Sequence, residues 1–135
     1  MPSKAAEVSS LIEAAREARR FARATYSGFA VGAALQARDG RVFTGANVES
    51  SSYGLSVCAE RVALFKALSE GVDGFKRLAV VTGIQPPGSP CGACRQLLWD
   101  YARGIEIILV GKDGDPVKTS LEELFRRPFG EEDLR

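Results

Sequence analysis

The chain carries three cysteines and no histidine, and the cysteines are not scattered. Cys91 and Cys94 stand in the run Pro90-Cys91-Gly92-Ala93-Cys94, and Cys58 opens Cys58-Ala59-Glu60. Both runs fall at the start of an expected helix. A Cys-x-x-Cys at a helix start puts two sulfurs on one face, within reach of a single ion. The partial positive charge of a helix N-terminus favours the thiolate, which is the form that binds metal. An odd number of cysteines excludes a fully paired disulfide framework within one chain. Without histidine, a transition-metal site has only Cys, Asp and Glu to draw on. Acid–base work likewise falls to a carboxylate, lysine, tyrosine or cysteine.

Zinc suits a thiolate set and needs no redox partner. Three thiolates leave the fourth tetrahedral position to water, substrate or a carboxylate, and three protein ligands with one open position is the pattern of a catalytic zinc site. Glu60 follows Cys58 by two residues, about 200° round a regular helix. At a helix start its carboxylate can still lean beside the open position as a proton shuttle. A water of lowered pKa next to a carboxylate makes metal-assisted hydrolysis possible. Three thiolates also leave the zinc with net negative charge, which weakens its acidification of water. Arg61 and Arg95, with Gln96 as a neutral donor, are expected to offset this by hydrogen-bonding the sulfurs. Two other readings of the cysteines stay open at this level. One is a structural zinc with Glu60 or an outside residue as fourth ligand. The other is a redox dithiol at Cys91 and Cys94, which leaves Cys58 and Glu60 unexplained.

The elements that must position these groups follow from periodicity. Leu11, Ile12, Ala15, Ala18, Phe21 and Ala22 recur at helical spacing and predict a helix over 10–24, broken by Tyr26-Ser27-Gly28. Residues 29–37 and 42–45 flank Asp39-Gly40 and read as a β-hairpin. A polar loop covers 47–57, a helix 58–69 and a strand 78–82. The proline-rich stretch 85–90 is a rigid loop. A helix over 92–101 and a strand over 105–110 come next, then a short strand near Val117. Ser120-Leu121-Glu122-Glu123 is a capping box that opens a last short helix. Trp99 is expected in the core or at a subunit interface. This order predicts an α/β fold, one sheet with helices packed on it. At 135 residues the chain has room for one domain, spanning 1–135.

Composition removes several function classes. With 45% apolar and 26% charged residues, the chain reads as soluble and globular. A net charge of +1 provides no basic excess to neutralise a phosphate backbone, so no nucleic-acid partner is expected. No apolar run approaches the ~20 residues of a membrane span, so no membrane partner is expected either. Residues 1–20 are alanine-rich and charged, without the apolar stretch of a signal peptide. The expected location is cytoplasmic.

Cys58-Ala59-Glu60 with Pro90-Cys91-Gly92-Ala93-Cys94 resembles the zinc nucleoside deaminases, whose motif is H-x-E followed by P-C-x-x-C, with a three-cysteine variant. Further runs extend the likeness: Phe29-Ala30-Val31-Gly32-Ala33-Ala34-Leu35, Gly45-Ala46-Asn47-Val48-Glu49-Ser50, Tyr53, and Ser89 through Gln96. In order and spacing these resemble the small homotetrameric cytidine deaminases, from Leu11 to about Leu134. The resemblance implies a three-layer α-β-α fold with one mixed sheet of about five strands. It implies one zinc per subunit on Cys58, Cys91 and Cys94, with Glu60 as general acid and base. Asn47 and Glu49 would hydrogen-bond the ribose, with Tyr53 beside them. Phe29 would line the pyrimidine and sugar pocket, and the Ala59 N–H would face the base. Arg61 would temper the thiolates. Phe129 would reach into a neighbouring subunit's site within a homotetramer. The implied activity is hydrolytic deamination of cytidine and deoxycytidine to uridine and deoxyuridine with release of ammonia, as in pyrimidine salvage. Two positions depart from the family pattern: Thr25 where Pro is common, and Phe125-Arg126-Arg127 where Leu-Pro-Gly is common. Rival readings are a blasticidin-S type deaminase, a zinc-stabilised binding module without catalysis, and a polynucleotide editor. The neutral charge and the lack of long insertions weigh against the last.

Overall fold

A computed structural model describes residues 2–134. In chain order it contains α1 (Lys4–Arg19), β1 (Gly32–Ala37), β2 (Val42–Ala46), α2 (Ala59–Ser69), β3 (Phe75–Val81), α3 (Gly92–Tyr101), β4 (Glu106–Val110), β5 (Val117–Ser120) and α4 (Leu121–Leu124). Single 3-10 turns lie at Tyr53–Leu55 and Glu131–Leu134. The strands form one five-stranded sheet in the order β2-β1-β3-β4-β5. β1 runs antiparallel to both its neighbours, β3 and β4 are parallel, and β5 is antiparallel to β4. The sheet is therefore mixed, and the α/β expectation holds.

Successive side chains on a strand point to opposite faces, and the three central strands are apolar on both. Ala34, Ala79, Val81, Ile108 and Val110 pack under Val8, Leu11, Ile12 and Ala15 of α1. Their alternates, Leu35, Leu78, Val80, Ile107 and Leu109, share the opposite core with Ala63 and Leu64 of α2 and Leu98 of α3. The result is three layers. Two glycines let helix backbone press directly on strand backbone. A Cβ on Gly32 would lie 2.0 Å from the Ala15 carbonyl oxygen, and one on Gly45 would lie 2.4 Å from that of Ala59. Gly45 thereby holds the first turn of α2 against β2.

Topology explains why the cysteines meet. β2 and β3 are both antiparallel to the strand between them, so they run parallel to each other. Each is followed by a helix on the same face. The N-termini of α2 and α3 therefore emerge at one end of the sheet, beyond the C-terminal ends of β2 and β3, where α/β sheets place their ligands.

Several boundaries differ from the sequence reading. α1 spans Lys4–Arg19 instead of 10–24. Its start is fixed by Ser3, whose hydroxyl accepts the Ala6 N–H at 3.1 Å, a capping contact. Its end is set by tertiary contact: Arg19 Nε donates to the Ala30 carbonyl at 2.8 Å, and Gly32 abuts the last turn. Phe21, placed on the helix by spacing, lies beyond it and is 67% exposed. β1 begins at Gly32 and not at Phe29, because 29–31 is held by side chains at the site. β3 begins at Phe75, since Ala37 still pairs there across an irregularity between Gln36 and Ala37. Among the described residues, no helix is long and apolar enough to cross a membrane.

Candidate active site

Cys58 and Cys91 are the N-cap residues of α2 and α3, and neither side chain caps its own helix. At N-caps an oxygen side chain would normally bind a free backbone N–H; here both sulfurs are left uncommitted. Cys94 follows one turn into α3 and is fully buried. The Cys58 and Cys91 sulfurs lie 3.6 Å apart, as do those of Cys91 and Cys94, and all three lie within 4.8 Å of one another. A tetrahedral zinc with sulfur at about 2.3 Å separates two sulfurs by about 3.8 Å, close to both measured pairs. The donor set therefore fits zinc.

Charge at the cluster is uneven. Hydrogen bonding from Cys94, then from Arg61 and Cys91, brings the Cys58 thiol down to about 5 against its burial. Cys94 is pushed far up, first by its bond to Cys58 and then by burial and the Glu60 charge. Of these two thiols, Cys58 is the one drawn toward the thiolate, and Arg61 Nη2 donates to its sulfur at 3.4 Å. That pairing raises the guanidinium's own pKa.

Glu60 is the second residue of α2 and is only 5% exposed. Burial pushes its carboxyl up to about 7, with a smaller push from Cys58 and opposing pulls from its own N–H and from Arg61. A carboxylic acid that titrates near neutral pH can both accept and donate a proton there. Beside it Ala59, the first residue of α2, has an N–H with no intrahelical acceptor.

These groups open into a cleft of about 470 Å³, whose lining includes Phe29, Asn47, Glu49, Tyr53, Cys58, Ala59, Glu60, Arg61 and Cys91, together with Ser27, Thr82, Gly88 and Ser89. The volume lies within the range of small-molecule sites. Asn47 is buried; its Oδ1 accepts the Val31 N–H and its Nδ2 donates to the Phe29 carbonyl, each at 2.9 Å. Glu49 accepts from the N–H groups of Tyr26 and Ser27 at 3.0 Å and from the Ser27 hydroxyl. The Ser27 hydroxyl, then these N–H groups, hold the Glu49 carboxyl below its usual range.

Residues 6–111 match the family model described as the cytidine and deoxycytidylate deaminase zinc-binding region. The chain belongs to this deaminase family. A cytidine deaminase of Sporosarcina psychrophila is 45% identical over 129 residues, which cover 95% of both chains. The crystal structure of cytidine deaminase from Burkholderia pseudomallei superposes with a TM-score of 0.86 at 48% identity, covering 90% of this chain and 98% of that one. A blasticidin-S deaminase of Bacillus cereus is 33% identical over 102 residues, or 70% of this chain and 72% of that protein. The family model and the sulfur cluster agree on one zinc per chain.

Within this deaminase frame, four of the residues singled out by sequence lie away from the sulfurs or the cleft. Gln96, expected to donate to a sulfur, instead donates to the Phe129 carbonyl at 2.8 Å and to Asp100 at 3.2 Å. It stands two residues after Cys94, about 200° round the helix, so it faces away. Arg95, also expected at the sulfurs, donates to the Pro90 carbonyl, the Ser89 hydroxyl and the Leu124 carbonyl. It braces the loop that carries Cys91. Phe129 is 54% exposed and lies with Gln96 in a separate hollow beside the C-terminal end of α3. Trp99 packs against Phe125 and lies under the Arg103 guanidinium. Sequence reasoning passed over Ser27 and Thr82. Tyr26-Ser27-Gly28 read as a helix breaker, and an isolated hydroxyl gives no spacing signal.

Proposed function

We propose that this deaminase hydrolyses the C4–N4 bond of cytidine and deoxycytidine. Cys58, Cys91 and Cys94 would hold the zinc, and Glu60 would carry the protons. The observation that supports this most is the buried Glu60 carboxyl, set in a nucleoside-sized cleft whose wall includes Cys58 and Cys91. When bound, zinc supplies a Lewis acid that lowers the pKa of water at its open position. Glu60 takes the proton of the attacking water and passes it to N3 of the pyrimidine. It then carries a second proton to the departing N4, so that water and cytidine become uridine and ammonia. The Ala59 N–H faces the base. Phe29 packs on the pyrimidine and sugar, and Asn47, Glu49 and Tyr53 meet the sugar. Arg61 tempers the thiolates. The net change, a cytosine nucleoside converted to a uracil nucleoside, is a salvage reaction, carried out by 1–135 as a single cytoplasmic domain. The enzyme would be a homotetramer in which Phe129 closes a neighbour's cleft.

The cleft favours a nucleoside over its 5′-phosphate. Among the described residues, Arg61 is the one cation lining it, and Arg61 is committed to Cys58. A phosphate there would meet Glu49 and no free positive charge.

Ultraviolet-monitored turnover of cytidine, deoxycytidine, cytosine, deoxycytidylate and blasticidin S, run beside zinc analysis, tests this reading. Both nucleosides should react. Deoxycytidylate should be slower by about 10²-fold or more, as expected when a buried group is left unpaired. Preferred turnover of blasticidin S or deoxycytidylate would overturn the substrate assignment.

A further inference from the structure

Phe29 stands at the rim of the cleft, outside any regular element, and its backbone is fixed at both ends by side chains. Asn47 Nδ2 holds its carbonyl at 2.9 Å, and the Ser27 hydroxyl accepts its N–H at 2.9 Å. The same Ser27 hydroxyl donates to the Glu49 carboxylate. Gly28, between them, has φ +70°, a left-handed conformation that costs glycine least. This turn is what brings the Ser27 oxygen to the Phe29 N–H. The tip of the ring it presents lies beside the loop that carries Gly88, where an added Cβ would stand 3.6 Å from Phe29 Cζ, while Phe29 as a whole stays 39% exposed.

We propose that Ser27 is a positioning residue for substrate binding, relaying the Glu49 carboxylate to the Phe29 backbone and so setting the ring against the bound nucleoside. The inference rests on the proposed function, because Phe29 must touch substrate for its placement to matter. A hydroxyl is needed for both halves of the relay, since it donates to Glu49 and accepts from Phe29 through one oxygen. Glu49 is itself anchored by the Tyr26 and Ser27 N–H groups at 3.0 Å, so the relay has a fixed end. An ordinary serine turn, in which the hydroxyl only caps a nearby N–H, is the competing explanation. Such a turn would contribute to stability without reference to Phe29 or to substrate.

The test is a double-mutant cycle on the zinc-loaded enzyme with cytidine, using Ser27→Ala, Phe29→Ala and the pair, with Ser27→Thr as the conservative variant. Ser27→Ala should raise KM about tenfold, the loss of roughly one charge-assisted hydrogen bond, with kcat within about twofold. Ser27→Thr should restore KM. In the Phe29→Ala background, Ser27→Ala should raise KM clearly less than it does in the wild type, since residues acting through one another are not additive, and what remains passes through Glu49 at the sugar. Additive effects on KM, or a lowered melting temperature in Ser27→Ala with KM unchanged, would overturn the relay while leaving the deaminase reading intact. No turnover of any cytosine nucleoside by the wild-type enzyme would overturn both.

Discussion

The two ends of α3 differ in what holds them. At the N-terminal end, Cys91 occupies the N-cap position with its sulfur turned to the cluster, Cys94 is fully buried, and Arg95 makes bonds to Pro90, Ser89 and Leu124. At the C-terminal end, Tyr101 is 52% exposed, and the tail lies against the helix through Gln96 to the Phe129 carbonyl and Arg103 to Glu132. The first end is fixed by one chain's own backbone geometry. The second ends in large apolar side chains that this chain leaves uncovered, Phe129 at 54% and Leu134 at 76%. A site built from helix starts is complete in its metal-binding part within one chain, whereas Phe129 finds no place in the chain's own core.

The contrast can be broken most strongly at Cys94. Replacing it by alanine removes one sulfur of the zinc set and opens a gap in a buried position. Cys94→Ala should lose bound zinc and turnover together and melt at lower temperature, because metal binding is coupled to folding. Metal analysis and a thermal melt read both effects, and wild-type zinc content would contradict the assignment.

Packing of the helix start onto β2 comes next. A Cβ at Gly45 would lie 2.4 Å from the Ala59 carbonyl oxygen and 2.6 Å from the Ala63 nitrogen, both backbone atoms that cannot swing aside. Gly45→Val should destabilise the fold by about 3 kcal/mol, the upper range for overpacking. At Gly54, where a Cβ meets nothing within 4 Å, alanine should cost less than about 0.5 kcal/mol. Denaturant unfolding compares the two.

The two arginines that follow Glu60 and Cys94 should differ in what their loss does. Arg61→Ala removes the donor to the Cys58 sulfur and should lower kcat or zinc affinity by about 10–100-fold. Arg95→Ala should lower stability with the zinc set unchanged. Equal effects of both on zinc affinity would erase the distinction drawn from their hydrogen bonds.

The smallest effect is expected at the far end. Phe129→Ala should raise KM for cytidine several-fold, about 1 kcal/mol of lost apolar contact, with zinc content unchanged and sedimentation still showing an oligomer. A fully active monomer would show that each chain builds its cleft alone.

The metal set was legible because the cue is local: Cys-x-x-Cys on one helix and Cys-x-Glu on another each fix a geometry before any tertiary contact forms. The central strands were legible for a related reason, since runs such as 105–110 are too apolar to lie anywhere but the interior. Residues whose partners lie far along the chain were not. Gln96 and Arg95 both neighbour Cys94 in sequence, yet helix rotation turns one toward Phe129 and tertiary packing draws the other to Leu124. The early start of α1 was missed because Lys4-Ala5-Ala6-Glu7 has no apolar period. Its end was misplaced because contact with Gly32, not a breaker in the sequence, stops it. Ser27 looked like punctuation, and only the fold brings Glu49 to it.

In the proposed mechanism a buried carboxyl beside the zinc set moves the protons, and Glu60→Gln removes that carboxyl alone. The substitution keeps size and polarity and removes the titrating group. The variant should fold, hold one zinc per chain and melt no lower than wild type, since it relieves a buried acid. Its kcat for cytidine should fall by at least the roughly 10²–10⁴-fold typical of acid–base catalysis. Zinc-loaded Glu60→Gln turning over cytidine at close to the wild-type rate would contradict the account.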